Sequence, residues 1–175
     1  MNILVTGGAG FIGSNFVKHI LERKGNRDKI IILDALTYAG NLDNLSEYLN
    51  KDNIIVPDEQ VSLEAFRWNL ESELAEMPSF ERDSARLSFK LSGRDYLAVE
   101  TEQIGEAASK SLEGSELVFV AANISDQRIA KQLLKLADVV VNFAAETHVD
   151  RSILNPDQFI KTDVYGTYIL LEAAR

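Results

Sequence analysis

The run Thr6-Gly7-Gly8-Ala9-Gly10-Phe11-Ile12-Gly13 sets three glycines three residues apart between a short apolar stretch, Asn2–Thr6, and an amphipathic one, Phe11–Arg23. Between a strand and a helix, such a turn is suited to holding an anion. Gly7 permits the sharp turn, Gly10 lets the backbone approach a pyrophosphate, and Gly13 allows close helix–strand contact. The free N–H groups at the helix start then face the anion. Asp34 closes a second apolar run, Lys29–Leu33, and stands 21 residues after Gly13. A carboxylate there can accept both ribose hydroxyls and would repel the extra phosphate of NADP. The pattern predicts NAD in preference to NADP, with Thr37 and its neighbours bearing on the choice.

The elements that would position these groups alternate. Phe16, Val17, Ile20 and Leu21 line one face of the first helix, and Gly25-Asn26 suit its exit. A short helix is expected over Leu42–Leu49. Leu117–Ala121 reads as a strand, Asp126 as the cap of a helix reaching Leu136, and Asp138–Phe143 as a further strand. Pro156 suits the first turn of a last helix. Unbroken Val/Ile runs point to strands covered on both faces, as in a parallel sheet. The expected fold is α/β: a Rossmann-type doubly wound parallel sheet, truncated, with a small α+β insert.

Composition narrows the classes further. The chain has 175 residues, no cysteine, and 27 acidic against 18 basic side chains, a formal net charge of −9. The acidic excess argues against nucleic acid or an anionic membrane as partner. Without cysteine there are no disulfides, zinc-thiolate sites or thiol nucleophiles, and no metal site is expected. No apolar run has the length of a membrane span, and the start lacks a basic signal-peptide region, so a soluble cytoplasmic protein is expected.

The charge is uneven. Residues 56–115 hold 13 acids and 6 bases, the remainder 14 acids and 12 bases. On this count residues 1–55 and 116–175 form the dinucleotide-binding host, and 56–115 an acidic insert. Within the insert, Asn53–Val56 reads as a strand, Ser62–Glu76 as an acidic helix with Trp68 in its core, Arg86–Leu91 and Tyr96–Glu100 as a hairpin, and Ile104–Leu112 as a helix. This β-α-β-β-α order, with L-E-S-E-L-A-E-M-P-S, resembles the small dimerising subunit of the KEOPS tRNA-modification complex.

The strings V-T-G-G-A-G-F-I-G-S-N, L-D-A-L-T-Y-A-G-N-L-D-N-L, N-F-A-A-E-T-H-V-D-R-S-I and F-I-K-T-D-V-Y-G-T-Y-I-L-L-E-A-A-R resemble, in order, the N-terminal half of the dTDP-glucose 4,6-dehydratases, extended short-chain dehydrogenases/reductases. The resemblance covers roughly 110 residues and leaves out the insert. It implies that Gly7, Gly10, Phe11, Ile12 and Gly13 surround the NAD pyrophosphate, and that Asp34, Ala35, Leu36 and Thr37 surround the adenosine ribose. Asn123 and Ile124 take the place of an Asp-Ile pair beside the adenine. Phe143, Ala144, Ala145, Glu146 and Thr147 would line the cofactor, Thr147 also touching substrate, and Thr162 would complete the nicotinamide side. Asp163 replaces the family's Asn, and a carboxylate cannot donate as an amide can. His148 is read as shaping the loop, not as a catalyst, and Glu146 and Asp150 form no acid/base pair.

The family oxidises C4 of the sugar with a Tyr-x-x-x-Lys pair and eliminates water with an Asp–Glu pair. The first is absent, since Leu42, Asp52, Glu100, Ile169 and Glu172 follow the five tyrosines at that spacing, and so is the family's T-D-E-V-Y-G segment that carries the second. The 175 residues are therefore expected to bind NAD and to be inactive alone. Three accounts stand: half of an enzyme complemented by a C-terminal polypeptide, a non-catalytic module binding NAD and a partner, or a chimeric fragment. An unpartnered strand 138–143 also predicts a homo-oligomer, or pairing of that edge with insert strands.

Overall fold

The computed structural model describes residues 1–23, 25, 27–58, 96–147, 153 and 156–175. The expected helix 62–76, strand 86–91, the hairpin turn, Trp68, His148 and Asp150 lie outside the described residues.

Among the described residues six strands form one parallel sheet: β1 (Asn2–Thr6), β2 (Lys29–Asp34), β3 (Ile54–Pro57), β4 (Leu97–Val99), β5 (Leu117–Ala121) and β6 (Val139–Asn142), in the order β4-β3-β5-β2-β1-β6. Side chains of a strand point alternately to opposite faces, and in β2 both faces are buried. Ile30 and Ile32 of β2 join Val17 and Ile20 of helix α1 (Phe11–Leu21), together with Leu42 and Leu45 of a 3-10 turn, Leu42–Leu45. Ile31 and Leu33 join the opposite cluster, roofed by α2 (Ile104–Gly114), α3 (Gln127–Leu134) and a C-terminal helix. A chain buried this way must be apolar at every position, which is why Lys29–Leu33 carries no alternation.

Asp126 caps α3 as its position predicts, its side chain accepting the N–H groups of Arg128 and Ile129 at 3.0 and 3.3 Å. The last helix is not uniform. It starts as α4 (Pro156–Phe159), widens to a π-helical turn over Ile160–Gly166, and continues as α5 (Thr167–Ala174).

The charge boundaries of the insert are not boundaries of the sheet. β3, β4 and α2 fall in or across residues 56–115, yet they extend the host sheet beyond β5. Gln132 of α3 holds α2 in place: its Oε1 accepts the Gly105 N–H at 3.0 Å, and its Nε2 donates to the Thr101 carbonyl at 2.8 Å. β4 runs parallel to β3, pairing Ile55 with Leu97. Among the described residues, the strands in or across the insert, β3 and β4, lie on the opposite edge and do not pair with β6. Among the described strands β6 pairs with β1 alone, and Val139 is 41% exposed.

Candidate functional site

A cleft opens where β1, β2, β5 and β6 end. It is lined by Gly7, Gly10, Leu33, Asp34, Ala35, Thr37, Ala39, Gly40, Asn123, Ile124, Phe143, Ala144, Ala145, Glu146 and Thr162. Parallel strands put all their C-terminal ends on one side, and this is where ligand crevices of open α/β sheets lie.

The glycine-rich loop forms the floor. Gly7 takes φ +65°, and a Cβ on it would sit 2.6 Å from the backbone nitrogen of Ala144. A Cβ on Gly13 would sit 2.2 Å from the Gly7 carbonyl oxygen, so α1 closes tightly on the loop. Gly10 caps α1 in an extended conformation, without a side-chain cap and without an acidic residue in the first turn. The N–H groups of that turn therefore keep their partial positive charge for something else. Phe11 is 82% exposed and Ile12 is exposed too. They flank the cleft without lining it.

Asp34 is buried and makes two backbone bonds. Its Oδ2 accepts the Ala9 N–H and its Oδ1 the Leu36 N–H, each at 2.8 Å. The carboxylate thus ties the glycine-rich loop to the turn after β2. Leu36 pays for that turn with φ +51°, which L side chains avoid, and its side chain enters the core with 1% exposure. Its side chain, expected at the cleft, is absent from the lining for this reason.

On the other wall, Thr6 of β1 donates to Asn142 Oδ1, and its hydroxyl oxygen accepts the Ala144 N–H at 3.3 Å. Phe143 stacks at a tilt on Phe16 of α1, ring centres 5.4 Å apart. Asp163, in the π turn, accepts the Glu146 N–H at 2.8 Å. An acceptor is all that contact needs, so the Asp in place of Asn keeps it. Asn123 turns its carboxamide oxygen to the Ser125 N–H at 2.9 Å. The acceptor expected to face an adenine is therefore already engaged. Ile124 packs so closely on Gly166 that a Cβ there would lie 2.5 Å away.

Sequence reasoning passed over four contributors. Leu33, Ala39 and Gly40 line the cleft, and Tyr38 reaches across it: its hydroxyl lies 3.5 Å from both the Thr147 Oγ1 and the Thr147 N–H. Thr147 itself is exposed and is not part of the lining. The string L-T-Y-A-G-N held the signal, as a polar loop directly after a buried strand. Among the described residues no group of His, Asp or Glu is arranged to hold a metal ion, and no helix is long and apolar enough to cross a membrane.

A model of the family described as GDP-mannose 4,6 dehydratase matches residues 4–59 and 90–175. The chain belongs to that family. It is 35% identical over 174 residues to the low-salt glycan biosynthesis protein Agl12 of Haloferax volcanii, covering 99% of this chain and 35% of that one. It is 36% identical over 175 residues to the dTDP-glucose 4,6-dehydratase of Escherichia coli, covering 100% of this chain and 31% of that one. The crystal structure of DesIV, a dTDP-glucose 4,6-dehydratase of Streptomyces venezuelae with NAD and TYD bound, superposes with a TM-score of 0.58 at 30% identity, over 99% of this chain and 35% of that one. This dehydratase-family chain thus spans about a third of its relatives' length, less than the half expected. The family match breaks off over residues 60–89, inside the acidic stretch.

Proposed function

We propose that these residues form the NAD-binding part of a dTDP-glucose 4,6-dehydratase, acting on a nucleotide sugar in the cytoplasm. The observation that carries the reading is the cleft at the strand ends, where an uncapped helix N-terminus and a buried carboxylate stand on either side of one glycine-rich loop. A loop of this kind fits a dinucleotide because its backbone comes to the surface unobstructed, and no acidic side chain in the first turn of α1 competes for the helix N–H groups.

In this reading Gly7, Gly10, Phe11, Ile12 and Gly13 surround the pyrophosphate. Asp34, Ala35, Leu36 and Thr37 surround the adenosine ribose, Leu36 through its backbone, and the Asp34 charge selects against a 2′-phosphate. Asn123 and Ile124 flank the adenine, Ile124 by apolar contact. Phe143, Ala144, Ala145, Glu146, Thr147 and Thr162 shape the nicotinamide side, with Thr147 also at the sugar. The chemistry NAD supplies when bound is acceptance of a hydride from the sugar and its later return. The residues present bind and orient; the Tyr-x-x-x-Lys pair that would move the hydroxyl proton is not among them. The division into a host, residues 1–55 and 116–175, and an acidic insert, 56–115, belongs to the same reading as a division of charge.

Isothermal titration of the 175-residue protein with NAD tests the binding half, and a turnover assay with dTDP-glucose tests the catalytic half. Binding without turnover is expected, since general-base catalysis alone is worth roughly 10²–10⁴-fold. At NAD a hundredfold above its Kd, the protein should gain about 2.7 kcal/mol against unfolding. An unchanged melting temperature at saturating NAD overturns the first half, and turnover by the pure protein the second.

A further inference from the structure

We propose that Asn44 is a positioning residue for the pyrophosphate, acting through the Ala9–Gly10 peptide; the proposal rests on the NAD reading above. That peptide immediately precedes the first N–H groups of α1, so its orientation aims them. Its N–H, on Gly10, donates to the Gly7 carbonyl at 3.1 Å. Its C=O, on Ala9, accepts two bonds of 3.0 Å each, from the Asn41 N–H and from Asn44 Nδ2. One residue earlier, the Ala9 N–H is held by Asp34. The peptide is thus gripped at both ends, and Asn44 supplies one of those grips through a side chain.

The grip is anchored. Asn44 lies on the 3-10 turn Leu42–Leu45, whose two leucines are fully buried against the α1 side of the sheet. Asn41 caps the same turn, its Oδ1 accepting the Asp43 N–H at 2.9 Å. Rotating the Ala9–Gly10 peptide would break the bonds to Asn41 and Asn44 together, and would turn the Gly10 cap away from the conformation that opens α1. A side chain that touches no ligand therefore decides where the helix N–H groups point.

The test uses the full 175-residue protein, wild type, N44A and N44D, titrated calorimetrically with NAD and with adenosine, alongside hydrogen–deuterium exchange over residues 7–14. N44D keeps the size of the side chain but sets an oxygen against the Ala9 carbonyl, and it carries the test should N44A fold poorly. Both variants should bind NAD roughly three- to tenfold more weakly, the worth of one hydrogen bond. Adenosine, which has no phosphate, should bind them as it binds wild type, and the amides of Gly10–Gly13 should exchange faster. A general loss of structure would weaken both ligands alike, and that result overturns the proposal. So does NAD affinity unchanged in both variants while wild type binds. Failure of wild type to bind NAD is a different result, which removes the functional reading and this proposal with it.

Discussion

Gly7→Ala tests the floor of the cleft directly. Two costs can be worked separately. The first is conformational: φ at Gly7 is +65°, and an L residue held there loses roughly 1–2 kcal/mol. The second is steric. The new Cβ would lie 2.6 Å from the Ala144 nitrogen, 2.7 Å from the Phe143 carbonyl carbon and 2.9 Å from the Ala144 Cα. All three are backbone atoms, so relief requires the end of β6 to move, straining the Phe143 N–H bond to the Thr6 carbonyl at 3.1 Å. Overpacking of this kind costs about 1–3 kcal/mol. The sum, about 2–5 kcal/mol, is a large share of the roughly 5–15 kcal/mol that holds a domain folded. Gly25→Ala is the control: φ there is +77°, with nothing within 4 Å among the described residues. It should show the conformational cost alone. Urea unfolding followed by far-UV circular dichroism measures both, and G7A should be the less stable by about 1–3 kcal/mol. Two variants equal within about 0.5 kcal/mol, the scatter of an ordinary surface change, would refute the close approach of the loop to β6.

Three further outcomes follow from the same structure. Asp34→Ala strands two buried N–H groups, each costing about 1–3 kcal/mol, so urea unfolding should show lower stability, and titration should show weaker NAD binding with less preference over NADP; a fully stable variant that keeps the wild-type preference for NAD would contradict both roles. The Tyr48 hydroxyl donates to Glu22 Oε1 at 3.1 Å, and desolvation, that bond and the charges of Glu22 and Glu47 hold its pKa above 10.0. The raised value means the folded protein keeps the proton longer, so the contribution is complete below pH 10.0 and is lost as pH rises through the folded value. Tyr48→Phe should therefore lose less stability than wild type as pH rises above 10.0, and equal losses in urea midpoints would remove the claim. Ile160, Val164, Tyr165, Tyr168 and Leu171 form an exposed apolar face beside β6, so light scattering at rising concentration should report a dimer or larger species; the mass of one chain at the highest concentration would count against it.

Much of the site was legible because its signals are local. Three glycines at fixed spacing, a carboxylate at a strand end and an Asp before an amphipathic run each act within a few residues of themselves. The strands Asn2–Thr6 and Leu117–Ala121 are legible by their apolar interiors, because a strand buried on both faces shows no polar alternation. Asp34 was legible as a polar residue at a strand end, but not as the group that holds Ala9 and Leu36. The charge count marks a change of composition, and it did not foretell that β3 and β4 extend the sheet beyond β5. Charge is a property of surfaces, whereas Ile55, Ile104 and Leu112 join the sheet and its cover through uncharged faces.

Residue types and their spacing determined the parallel α/β class, the glycine-rich turn and the carboxylate that accompanies it. Tertiary structure alone decided the strand order, with β3 and β4 beyond β5, the reach of Tyr38 to Thr147, the Asn44 hold on Ala9, the inward turn of Leu36 and the widened turn that carries Thr162 and Asp163. The physical reason is distance along the chain. Tyr38 and Thr147 are 109 residues apart, and Asn44 and Ala9 are 35 apart. Contacts of that span exist only once the sheet has brought its strand ends together, and no periodicity within a segment encodes them.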